Sequence, residues 1–84
     1  MGVAMEDEAL RVIRVLIDHG CEPGPDYPDE LSQIWFAEAG LNDAETERGL
    51  IAAHHKGWII MPSDRPGWFR ITQAGFDAAT ATAR

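Results

Sequence analysis

The 84-residue chain has one cysteine, one tyrosine and seven lysines and arginines against fourteen aspartates and glutamates. The lone Cys21 excludes an intramolecular disulfide framework and fits a reducing, cytoplasmic setting. No run comes near the roughly 18 consecutive apolar residues of a membrane span. The start, Met1-Gly-Val-Ala-Met-Glu-Asp-Glu8, is acidic and has no leading apolar run, so it does not read as a secretory signal. Glu6 also stands where a myristoylation motif wants Ser or Thr. His19 and Cys21 lie across a helix end, while the adjacent His54 and His55 point about 100° apart. Neither pair has the spacing of metal ligands, and no metal or cofactor is expected. Nucleophile elbow, phosphate loop and tuned acid pair are all missing, so an enzyme is the class the sequence supports least.

A clustered basic face is missing too. Residues 1–40 hold nine acids and two bases, Arg11 and Arg14. Residues 41–84 hold five acids and five bases, which places the whole net charge of −7 in the first half. A nucleic-acid binder ordinarily carries a Lys/Arg patch, and neither half offers one.

What is present is a single small globular domain with 45% hydrophobic and 25% charged residues. The pattern predicts helices over about 5–19, 28–39, 43–56 and 73–82, with strands over about 58–61 and 68–72. The first helix has acids in its opening turn, Gly20 at its end and an unusually broad apolar sector (Met5, Ala9, Leu10, Val12, Ile13, Val15, Leu16, Ile17). That breadth means burial on two sides within the domain or a homodimer through this helix. Cys21-Glu-Pro-Gly-Pro-Asp26 reads as a loop, since its prolines and glycine break regular structure. Leu31, Ile34 and Trp35 define the expected buried face of the second helix, with Phe36 beside them. Asn42 and Glu45 form a capping box for the third helix, and Gly57 ends it. The turn-rich Pro62-Ser-Asp-Arg-Pro-Gly67 then joins two apolar strands into a hairpin. Trp58 and Trp68, each preceded by Gly, are expected to pack across it. Thr72 caps the last helix, and Ile71 and Phe76 have the spacing of a hydrophobic staple around it. The alanine- and threonine-rich tail has little to bury and is expected to fray.

Three stretches carry a likeness. Glu38-Ala-Gly-Leu-Asn-Asp-Ala-Glu-Thr46 resembles the turn of helix-turn-helix proteins. Leu50-Ile-Ala-Ala-His-His-Lys-Gly-Trp-Ile59 resembles the end of a winged-helix recognition helix. Arg70-Ile-Thr-Gln-Ala-Gly-Phe76 is similar to the segment that closes the wing in the MarR-like and PadR-like groups. The likeness covers roughly residues 28–78. Ala53, Thr46 and Trp35 depart from the usual pattern, and no regulator subfamily is assigned. The resemblance implies an α+β winged helix-turn-helix: a three-helix core, a two-stranded β-hairpin wing and a short C-terminal helix. It also implies double-stranded DNA as partner, with the third helix in the major groove and the wing on the backbone or minor groove.

With Thr46, Leu50 and Ala53 toward the core, helical geometry points Ala44, Arg48, Ile51 and His55 outward, with Ala52 near them. The candidate DNA-contacting residues are Arg48, Ile51, His55, Lys56, Arg65 and Arg70. Arg48 has the chemistry to pair with guanine, and equally to pair with Glu45 or Asp43 on its own helix. Arg65 suits a solvated turn as well as a contact, and the three tryptophans suit packing better than base stacking. Two readings follow: a DNA-binding transcriptional regulator, or an acidic winged-helix module that binds a protein partner.

Overall fold

A computed structural model of the chain describes residues 3–81, and side chains from residue 7 onward. Helix α1 spans Val3–Asp18, strand β1 Asp26–Pro28, α2 Asp29–Glu38 and α3 Asp43–His55. They are followed by β2 Ile59–Ile60, β3 Trp68–Ile71 and α4 Gln73–Ala81. The described residues are thus α+β, four helices against a three-stranded antiparallel sheet of order β1-β3-β2. The expected last helical residue, Thr82, and the end of the tail lie outside the described residues. None of the described helices is long and apolar enough to cross a membrane.

Local chemistry accounts for the helix ends. The Asn42 side chain accepts from the Glu45 amide at 2.8 Å, and the Glu45 carboxylate accepts from the Asn42 amide at 3.0 Å. Two otherwise orphaned donors at the start of α3 are satisfied this way. At the other end Gly57 adopts φ +73, and the Trp58 amide donates back to the Ala53 carbonyl. Only glycine takes that left-handed conformation without strain. The same doubled hydrogen-bond pattern ends α1, through Gly20 and Cys21, and α2, through Gly40 and Leu41. Cys21 and Leu41 turn into the core as they close these ends. Thr72 accepts from the Gly75 amide and opens α4 as expected.

Helix α1 is the centre of the core. Ala9, Leu10, Val12, Ile13 and Leu16 are buried, and Val15 and Ile17 pack partly against the same cluster. The described part of its broad apolar sector is therefore consumed within the domain, against α3, α4 and α2, and no described residue of α1 remains as a large exposed apolar group. Of the two alternatives for this helix, burial within the domain is the one these contacts form.

Three expectations need correction. The proline-rich segment ends in a strand: Asp26–Pro28 pairs antiparallel with β3, Tyr27 opposite Phe69, so the expected two-stranded hairpin is part of a three-stranded sheet. β1 is an edge strand only three residues long, and Pro28 is tolerated at its end, where it precedes α2. On α2 the buried residues are Ser32 and Phe36, whereas Leu31 and Ile34 are 41% and 55% exposed. Trp35 lies half-buried with its ring stacked on His19, centroids 4.6 Å apart. Trp58 and Trp68 do not face each other, because the register places Ile59 opposite Ile71 and Trp68 opposite Pro28.

α3 meets α1 through small residues: Thr46, Gly49, Ala52 and Ala53. A Cβ at Gly49 would stand 2.6 Å from the Val12 Cγ1 and 2.7 Å from the Glu8 carbonyl oxygen. Gly49→Ala gains about 1 kcal/mol in helix propensity but overpacks a backbone contact, at a cost of about 1–3 kcal/mol. Urea unfolding is expected to show a net loss of stability, on the order of 1 kcal/mol. A stabilised variant would contradict so close an approach.

Candidate interaction face on the third helix

With its small residues turned to α1, α3 presents the opposite side to solvent. Asp43, Glu47, Leu50, Ile51 and His54 succeed one another at offsets of four, seven, eight and eleven residues, which is one helical face. Beside it lie Gln33 of α2 and Met61, just beyond β2. Together Gln33, Asp43, Thr46, Glu47, Leu50, Ile51 and Met61 line a solvent-open hollow of about 430 Å³. A second hollow of about 480 Å³ continues along Leu50, Ile51, His54, His55 and Met61. The two share Leu50, Ile51 and Met61, so the floor of the combined groove is apolar. Ile51 is 49% and Met61 48% exposed, high for large apolar side chains.

The structure divides the six candidate contact residues. Ile51 and His55 line the groove. Arg48, the one arginine of α3, leans away from it and grips Glu8 of α1, with Nε and Nη2 at 2.8 and 2.7 Å from the same carboxylate oxygen. That hydrogen bond and the Glu8 charge raise the Arg48 pKa above its ordinary value. The intrahelical pairing with Glu45 or Asp43 is not the one formed: Glu45 is engaged by the Asn42 amide and, at 3.5 Å, by Arg11. The Asn42 hydrogen bond, with Arg11 and Arg48 nearby, holds the Glu45 carboxyl below its usual value.

Arg65 and Arg70 converge on Asp26. Arg70 Nε donates to one carboxylate oxygen at 2.8 Å, and Arg65 Nη1 donates to the other at 3.0 Å. Asp26 is 8% exposed, so both guanidinium groups face an acid that water scarcely reaches. Arg65 also lies 4.2 Å over the Trp68 ring, and Lys56 lies 5.3 Å over Trp58. The two Gly-Trp pairs thus serve as seats for cations, with the rings' negative faces toward the charge.

Comparison with known protein families, curated proteins and solved structures finds no match. α3 carries three carboxylates against one guanidinium, and that guanidinium is drawn to α1.

Sequence reasoning missed Leu50, Met61, Gln33 and Asp43 as parts of the site and has Glu47 only flanking the outward face. Leu50, expected toward the core, is half-buried and packs against it while also lining the groove, and Ala52, expected near the outer face, is buried. One signal was available: Asp43 and Glu47 precede the outward Ile51 by eight and four residues, which places both carboxylates on its face of the helix. The Asp26 pairings had no comparable signal, since Arg70 lies 44 positions away. Cys21 is buried, and that burial pushes its thiol up to about 11, so at neutral pH it is a protonated packing group.

The hydrogen bond from Arg70, aided by Arg65, holds the Asp26 carboxyl below the ordinary range, with partial burial opposing. A depressed folded value means stability that is fully present above the unfolded value of about 3.9 and lost as pH falls through the folded value. Asp26→Asn should therefore be less stable than the parent at pH 7, and the gap should narrow below about pH 4. Urea unfolding across that range tests this, and a gap independent of pH would contradict it.

Proposed function

We propose that the chain is a winged helix-turn-helix domain whose third-helix face docks a protein partner and does not read DNA. Support for the winged-helix part comes from the three resembling stretches in their order, together with a capped α3 feeding directly into the β2–β3 hairpin. The observation that carries the functional part is the apolar groove over Leu50, Ile51 and Met61, with Asp43 and Glu47 on its lining. A duplex reader needs hydrogen-bonding and cationic groups on that face, because phosphate contacts supply most of its affinity. Here the arginines on α3 and the wing are engaged by Glu8 and Asp26. Each would exchange an internal partner for a phosphate, so binding DNA would leave Glu8 and Asp26 facing it unneutralised. Contiguous exposed apolar surface with a polar rim is instead the anatomy of a protein interface.

The reading as a DNA-binding transcriptional regulator is separable by one titration. Fluorescence anisotropy of a labelled mixed-sequence duplex at low salt should show no saturation with protein at tens of micromolar, inside the ordinary non-specific range. Micromolar binding that weakens in Arg48→Ala would restore the regulator reading.

A further inference from the structure

The occupant of this groove can be narrowed by charge. Three carboxylates around α1 and the sheet are already neutralised: Glu8 by Arg48, Asp26 by Arg65 and Arg70, and Glu45 by Arg11. Asp43 and Glu47, which line the groove, are exposed and meet no basic side chain within ion-pair distance among the described residues. They stand at one end of the groove, one turn apart on α3, and the apolar stretch of Leu50, Ile51 and Met61 follows directly. The stripe from Asp43 to His54 covers eleven residue steps, about 16 Å at 1.5 Å per residue, or three helical turns.

Resting on the docking role proposed above, we infer that the groove takes a basic amphipathic helix from a partner protein. Apolar anchors at helical spacing fill the space over Leu50, Ile51 and Met61, and Lys or Arg side chains at one end pair with Asp43 and Glu47. A helix in a groove reads through anchors at offsets of about three, four and seven residues, which fits a three-turn floor. The added charge pairs fix the orientation of the bound helix and speed encounter with a chain of net charge −7. Two copies of so acidic a chain repel each other, which disfavours self-association as the use of the groove.

The test titrates the ¹⁵N-labelled full chain with two synthetic helical peptides of about 14 residues, enough for three turns and a flank. Both carry leucines at helical spacing; one has lysines elsewhere, the other glutamates. The lysine peptide should shift the amides of Glu47, Leu50, Ile51, His54 and Met61 and bind at least about tenfold tighter than the glutamate peptide. Glu47→Lys should reduce that preference several-fold, and Ile51→Glu should abolish binding; both residues are exposed, so neither change disturbs the core. Equal binding of the two peptides, or shifts confined to the acidic residues of α1, would overturn the basic partner and leave the docking role standing. If neither peptide shifts the groove and sedimentation finds a dimer that Ile51→Glu dissociates, a second copy is the occupant and the inference fails. If neither shifts it and the chain is monomeric, the docking role falls with it.

Discussion

The close approach of α1 and α3 at Gly49 is the constraint on which the rest of the arrangement depends. With no side chain at that position, α3 comes down onto Val12 and the Glu8 carbonyl of α1. Thr46, Ala52 and Ala53 complete a thin inner face that suits the short separation. Burying Val12, Ile13 and Leu16 of α1 beneath this and the neighbouring elements is worth about 1.5–3 kcal/mol per side chain. Once the inner face is fixed, the helical repeat leaves Glu47, Ile51 and His54 outside and Leu50 at the margin. The apolar character of the groove is thus a consequence of how α3 is seated, and Arg48 falls on the edge nearest Glu8 because of the same rotation.

Charge is organised by the same packing. The excess of acids in the first forty residues reads as a solvated, repulsive half, yet Glu8 and Asp26 work as anchors for cations from the second half. Asp26 ties the strand that opens α2 to the hairpin after α3, and it holds Arg65 of the hairpin loop over Trp68. These pairs are partly exposed, and each contributes modestly to stability. Their larger effect is on what the surface offers: Arg48, Arg65 and Arg70, expected to face phosphate, are engaged by carboxylates, and Asp43 and Glu47 of the groove are paired with no described basic side chain.

Features decided within a few residues were legible in the sequence. The capping box of Asn42 and Glu45, the Gly57 stop and the Thr72 cap depend on neighbours one to five positions away, and all three occur as read. The sides of the helices were harder. On α2 the run Leu31 to Phe36 is apolar on several sides, and only β1 and α1 decide that Ser32 and Phe36 go inward. Strand β1 is too short to show alternation, and its partner is some forty residues away. Ion pairs such as Glu8–Arg48 follow from the tertiary approach of two helices, so the local alternatives for Arg48 were the wrong set to weigh. Only Ile51 and His55 of the nine lining residues were in view as candidate contacts; Met61 enters only because the chain beyond β2 passes beside α3.

In the free chain α3 is seated with a small inner face and an open apolar outer face. Paramagnetic relaxation by a neutral, freely diffusing agent, read at the side-chain methyls, measures this directly. The Ile51 and Met61 methyls should be among the most strongly relaxed in the molecule, and those of Ala52 and Ala53 among the most protected. Ile51 and Met61 methyls as protected as Ala53, or strong relaxation at Ala52 and Ala53, would contradict the seating of α3 and the groove that follows from it.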